Sequence, residues 1–224
     1  MPVAKPFAIL PIKAFDEAKQ RLRDALGPLP RAALVQAMFS DVLVALRRST
    51  QIGGVLVVSG DHGAQRIAGG YGAVVVDDDQ RGHNEAADRG VARALELGAE
   101  RVLLVPGDCP LLDPGELDAL ITAHADPRSV VIVPDRHGTG TNALLLSPPD
   151  ALRPAFGPLS RARHEQKAEA AGVPAATVSV PTLALDLDTP EDLLAVQDAL
   201  SSGHGGAAHT RGMLAQLARI RERL

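Results

Sequence analysis

Short apolar, β-branched runs recur along the chain, each separated from the next by a stretch of helical periodicity. That alternation limits the fold more than any other feature. The runs lie at 7–12, 54–59, 73–77, 101–106, 130–134, 142–147 and 182–187. Several are almost wholly apolar: VLVV at 55–58, VVVD at 74–77, VLLV at 102–105 and VVIV at 130–133. Strands that read this way are covered on both faces. Helical patterns fill 16–26, 30–48, 62–70, 84–98, 114–124, 160–171 and 190–201. Two carry explicit start signals, Asp113-Pro114-Gly115-Glu116 and Thr189-Pro190-Glu191-Asp192. Each offers a capping side chain, a proline at the first helical position and an acid two residues on. Strand and helix alternating in units of about 30 residues predict a mostly parallel, three-layer α/β/α sheet. The segment 130–147 departs from the rule. Its two strands are joined by Asp135 to Thr141, too short for a helix, so an antiparallel insertion is expected there.

The chain has 224 residues, enough for one large α/β domain, expected over 1–202. A glycine-rich linker within SSGHGGAAH at 201–209 then leads to a tail over 203–224. In that tail Met213, Leu217, Ile220 and Leu224 recur on one helical stripe, and Arg211, Arg219, Arg221 and Arg223 lie largely off it. Docking on its own domain is the expectation; a homodimer contact and membrane-surface binding are the alternatives.

Composition removes several function classes. Net charge is -4, so no basic field exists to hold nucleic acid. Aromatic residues are 2% with no Trp, which leaves few platforms for base stacking. One Cys excludes an internal disulfide and fits a reducing compartment. No uninterrupted apolar run approaches the roughly 20 residues of a membrane span, and the N-terminus lacks a signal-peptide pattern. A cytoplasmic enzyme with small-molecule partners is expected.

In an open parallel sheet, ligands collect beyond the carboxyl ends of the strands. After the first strand come Lys13, then Lys19 and Arg21. The three cations are close enough to meet one triphosphate, although a solvated basic face has the same spacing. No Walker-type or dinucleotide-type glycine loop follows any strand. After the fourth strand comes Pro106-Gly107-Asp108-Cys109-Pro110. A carboxylate there needs a partner, and a metal ion is the natural one; a plain turn aspartate is the alternative. Cys109 reads as a small buried hydrophobe. The run Leu185-Asp186-Leu187-Asp188 puts both acids on one strand face, and Asp188 alternatively helps to cap the next helix. Asp108 and Asp186 together suit Mg²⁺, which prefers carboxylate oxygen. The scattered histidines do not suggest zinc. Gly138-Thr139-Gly140-Thr141-Asn142 and Phe156-Gly157-Pro158-Leu159-Ser160 offer small donors and a helix N-terminus to an anion. Arg163 and His164 follow in the first turn. Asn84 is either an N-cap or a nucleotide contact.

Five segments together resemble a known family: PIKAFDEAKQRL at 11–22, AMFSDVL at 37–43, VPGDCPLL at 105–112, DRHGTGTNALLL at 135–146 with FGPLSRARH at 156–164, and LDLDTPEDL at 185–193. The family is the 2-phospho-L-lactate/phosphoenolpyruvate guanylyltransferases of coenzyme F-420 biosynthesis. The resemblance implies a nucleotidyltransferase-type fold, like that of the nucleotide-diphospho-sugar transferases. It implies Mg²⁺, GTP as donor, a phosphorylated three-carbon acid as acceptor, and release of pyrophosphate. Carried over by motif, Asp108 and Asp186 hold the metal and serve catalysis. Thr141, Gly157 and Ser160 hold the acceptor phosphate, while Lys13, Lys19, Arg21 and Asn84 face the nucleotide. One departure is His83, where relatives often have leucine. The tail beyond 203 is expected to lie outside the resemblance. Two other readings stay open: a sugar-phosphate nucleotidyltransferase or glycosyltransferase of the same fold, and a non-catalytic nucleotide-binding protein.

Overall fold

β1, Phe7–Pro11, shows why the sheet needs two helical layers. Ala8 and Leu10 point into one core and Ile9 into another, and all three are fully buried. The same alternation runs through β2 (Gly54–Val58), β4 (Val102–Leu104), β5 (Ser129–Pro134) and β6 (Thr141–Ser147). β3 (Val74–Val76) and β7 (Ala175–Thr177) complete a seven-stranded sheet of order β3-β2-β1-β4-β6-β5-β7. This is a computed structural model describing residues 3–79, 81–202 and 206–221; the side chains of 220 and 221 are not described.

One face of the sheet packs on α1 (Pro28–Arg48), α2 (His62–Gly70), α4 (Pro114–Ala123), the single turn α6 (Pro181–Ala184), α7 (Pro190–Ser201) and α8 (Ala208–Arg221). The other packs on α3 (His83–Glu96) and α5 (Ser160–Ala170). β1 to β4 pair in parallel, and β6 runs antiparallel to both β4 and β5, as the 130–147 segment predicted. The two start signals also hold. Asp113 accepts from the amides of Gly115 and Glu116 at 2.8 and 3.0 Å, and Thr189 forms a capping box with Asp192.

Two expected elements differ. The run 182–187 is no strand: Pro181 starts the helical turn α6, and 185–189 is irregular chain. The seventh strand lies earlier, at β7. The helix expected over 16–26 is a set of turns around one 3-10 turn, Gln20–Leu22. Lys19 adopts φ 55°, which breaks helical propagation. Buried Arg31 donates to the carbonyls of Asp16 and Ala18 at 2.8 and 2.9 Å, giving those groups partners outside a helix.

α1 is 21 residues and contains an 18-residue window of mean hydropathy 1.4, so by length and composition it could cross a membrane, contrary to expectation. It is instead the central core helix. It buries Leu34, Met38, Phe39 and Val42, and carries the buried Arg31 and Asp41.

The tail folds back on the protein. α8 packs on α1 and α7, with Leu214 buried and Met213 and Leu217 against the same core. Ile220 and Leu224, the rest of the expected stripe, have side chains outside the described residues. So do Arg221 and Arg223, and residues 203–205 of the expected linker. Asp41 on α1 accepts from the amides of His209 and Thr210 at 3.0 and 2.7 Å, serving as an N-terminal cap supplied from another helix. Replacing a capping carboxylate by alanine costs about 1 kcal/mol, up to roughly 2. Asp41→Ala should therefore lower the thermal midpoint and speed proteolysis within the tail, read by calorimetry and limited digestion.

Candidate active site

The chain lays down β1, β2 and β3 in one direction, then returns to the other side of β1 for β4. The carboxyl ends of β1 and β4 therefore flank a topological switch point, where open sheets bind ligands. A cleft of about 350 Å³ opens there, lined by Ile12, Lys13, Lys19, Gly107, Asp108 and Asp188 among others. Gly107 lets the loop after β4 lie flat on this cleft. A Cβ at that position would come within 2.4 Å of Ile12 Cδ1.

The carboxylates converge as the sequence predicted, with one addition. The Leu187 amide donates to the Asp108 carbonyl at 3.2 Å, joining the two acidic loops. Asn142 on β6 donates to the Leu183 carbonyl at 2.7 Å and to Asp186 Oδ1 at 3.1 Å, fixing the second loop from below. Burial pushes the Asp186 pKa up, and the neighbouring Asp108 charge pushes it further the same way. Asp188 is the addition. Thr189, not Asp188, caps α7, so the Asp188 carboxylate is free to ion-pair with Lys19. Lys19 Nζ also pairs with Asp108. Burial works against the ammonium, but Asp108 and Asp188 outweigh it and hold its pKa above the ordinary value. Asp108 Oδ1 remains buried with no hydrogen-bond partner among the described residues. No ready-made group of three His, Cys, Asp or Glu ligands occurs among the described residues. Cys109 is buried against the Leu183 carbonyl, with its thiol pKa raised by burial. It is packing, as expected.

A second group of predicted residues assembles beside the first. Thr141 begins β6, and Gly157 and Ser160 lie in the loop entering α5. Gly157 has φ 116°, a conformation that side chains rarely adopt. His164 sits beneath them, completely buried. Burial, with Lys167 and Arg163 adding to it, lowers its pKa to about 4, so the ring is neutral at pH 7. The Ala155 amide donates to His164 Nε2 at 2.9 Å. The proton is then on Nδ1, which donates to Thr141 Oγ1 at 3.0 Å. Thr141 accepts that bond and keeps its own hydroxyl proton for a ligand.

Asn84 is neither an N-cap nor a side chain free for a nucleotide. α3 starts at His83 with Gly82 as its cap. Both polar atoms of Asn84 clamp the Phe156 backbone, accepting from its amide at 2.7 Å and donating to its carbonyl at 3.1 Å. The Phe156 ring packs edge-on between His83 and His164. The loop at 155–160 is thus held on three sides. Lys13 lines the cleft as expected, whereas Arg21 is exposed and is not among its lining residues. Arg31, Asn142 and His164 position other groups; sequence reasoning gave Arg31 no role, because a lone polar residue in a helix carries no signal of what it will touch.

Comparison with known proteins agrees with this geometry. Residues 7–220 match the family model described as guanylyl transferase CofC like. The chain belongs to that family. The match includes α8, so the tail is part of the family's shared length, against expectation. A phosphoenolpyruvate guanylyltransferase of Conexibacter woesei is 54% identical over 215 residues, 95% of this chain and 96% of that protein. One from Sphaerobacter thermophilus is 40% identical, covering 83% and 89%. A 3-phospho-D-glycerate guanylyltransferase of Colwellia psychrerythraea is 31% identical, covering 83% and 88%. Among solved structures, 4-diphosphocytidyl-2C-methyl-D-erythritol synthase is similar at TM-score 0.63 and 20% identity, covering 89% of this chain and all of that one. A provisionally named nucleotide-diphospho-sugar transferase of Desulfovibrio desulfuricans reaches TM-score 0.74 at 16% identity, covering 98% of each. These establish the nucleotidyltransferase-type fold.

The buried histidine makes a pH prediction. An unfolded chain takes up a proton at His164 near pH 6.5, and the folded one only near pH 4. The unfolded state binds more protons in that window, so its contribution is full above pH 6.5 and is lost as pH falls towards 4. His164→Asn should remove up to about 1.4 kcal/mol per pH unit of this slope, measured by urea unfolding at several pH values.

Proposed function

We propose that the chain transfers the guanylyl group of GTP to phosphoenolpyruvate, or to 2-phospho-L-lactate, releasing pyrophosphate as a step in coenzyme F-420 biosynthesis in the cytoplasm. The observation that carries it is the buried, unpartnered Asp108 oxygen beside Asp186 and Lys19 at the switch point of a guanylyl transferase fold. The names of the relatives support the acceptor class, phosphoenolpyruvate before phosphoglycerate.

The residues fit a divalent cation. Asp108 offers a free carboxylate oxygen, Asp186 is strained by like charge, and the donors are all oxygen, the set that Mg²⁺ prefers. Asp108 and Asp186 would hold the ion, with Asp188 alongside, and it would supply charge neutralisation at the phosphates. The chain's own groups do the rest. The acceptor is a phosphate monoester with a second pKa near ~6, so it reaches the site already ionised. No general base is needed, and the work is positioning and charge. Thr141 donates its free hydroxyl proton to the acceptor phosphate, and Ser160 adds the positive end of α5. Lys13, exposed at the lip of the cleft, offsets the charge of the leaving pyrophosphate.

Pyrophosphate release from GTP, with each phosphorylated acid offered separately, tests the reading. Release with a three-carbon phospho-acid supports it, and release only with a sugar phosphate overturns it. Asp108→Ala should lower turnover by roughly 10²-fold or more with little change in thermal midpoint. Thr141→Val should raise the KM for the acceptor and leave that for GTP nearly unchanged.

A further inference from the structure

A second cleft of about 170 Å³ adjoins the first and shares the wall formed by Pro11, Ile12, Lys13 and His83. Its lining mixes apolar Pro11, Ile12 and Ala86 with the charged side chains of Lys13, Glu17 and Asp78. The Asp78 side chain is only 8% exposed. Its Oδ1 is buried and has no hydrogen-bond partner among the described residues. Its neighbours in the acidic run are engaged: Asp77 accepts from Gln65 at 3.0 Å, and Asp79 pairs with Arg89 at 2.7 Å and Arg81 at 3.1 Å. Arg89 spends its other terminal nitrogen on the Asp77 carbonyl at 3.1 Å. Only its Nε faces Asp78, at 3.9 Å, an ion pair without a hydrogen bond. A desolvated carboxylate oxygen left this way is costly unless something brought to the cleft donates to it.

We infer that Asp78 reads the Watson–Crick edge of guanine, which makes it the residue that selects GTP. The inference rests on the guanylyl-transfer reading and deepens it. Guanine presents two adjacent donors on that edge, the N1–H and the exocyclic amino group, and one carboxylate accepts both. Adenine presents a lone pair at N1, which would face the carboxylate oxygen repulsively. The apolar wall of Pro11, Ile12 and Ala86 receives the flat ring. The triphosphate then extends across the shared wall towards Lys19 and Asp108. Sites built to hydrogen-bond a group reject analogues that lack it far more strongly than apolar pockets do.

The test is equilibrium binding of GTP, ITP and ATP, with Mg²⁺, to the full chain and to Asp78→Ala and Asp78→Asn. ITP keeps N1–H and lacks the exocyclic amino group, so it isolates one hydrogen bond to a charged acceptor. The wild-type chain should prefer GTP over ITP by about tenfold to a hundredfold. Asp78→Ala should bring that ratio within about twofold while changing ITP affinity less. Asp78→Asn, nearly isosteric and so the safer variant for folding, should gain ATP binding, because its amide can donate to adenine N1. A GTP/ITP ratio near one in the wild type, or a ratio unchanged in both variants, overturns the inference. Pyrophosphate release by the wild type separates the two readings. Turnover with an unchanged ratio defeats only the base assignment. A collapsed ratio in a chain that transfers nothing defeats only the guanylyl-transfer reading.

Discussion

Negative charge gathered at the carboxyl ends of the central strands is the constraint that the rest of the structure accommodates. Asp108, Asp186 and Asp188 come from two loops and meet where β1 and β4 end side by side. Each is partly removed from water, and like charges in such surroundings repel more strongly than in solution. One buried cation, Lys19, bridges two of them and leaves an oxygen of Asp108 without a partner. The local arrangement serves this gathering. Gly107 thins the first loop, Asn142 braces the second, and the Leu187 amide ties the two together.

Beside this charged centre lies a second one, with the Arg163 guanidinium next to Gly157. The loop at 155–160 is fixed by the Asn84 side chain, by the Phe156 ring between two histidines and by His164 from below. The centre's oriented donor is the Thr141 hydroxyl, directed by the bond that it accepts from His164. On the proposed reading a dianionic phosphate would be placed there, beside carboxylates, at small cost in reorganisation. The two centres touch through Asn142, next to Thr141 in sequence and bonded to Asp186, and through His83 against Phe156.

Much of the architecture was legible because apolar runs of uninterrupted character can only be strands covered twice. β1 to β6 and all the longer helices lie within a few residues of their expected places. Two short elements, β7 and α6, were not legible. β7 is three residues, two of them alanine, and its position is set by pairing with β5 rather than by its own composition. The chain at 182–187 alternates as a strand would, yet Pro181 opens a helical turn; Leu183 is buried from that turn and Leu187 from the irregular chain after it. Asp108 and Asp186 could be found because acids beside apolar runs need partners. Asn84 was misread because a polar residue at a helix start is ordinarily a cap, and nothing in one dimension reveals a distant backbone waiting for it. Asp78 was passed over, because within a run of three aspartates nothing in the sequence sets one apart from its neighbours.

The central claim is that the aspartates at 108 and 186 serve one centre. A double-mutant cycle on turnover tests it directly, comparing Asp108→Ala, Asp186→Ala and the chain carrying both. Residues that act as a unit lose little more when both are removed than when the more important one is. A doubly substituted chain no slower than the worse single variant is the predicted result. Losses that multiply independently would contradict the account.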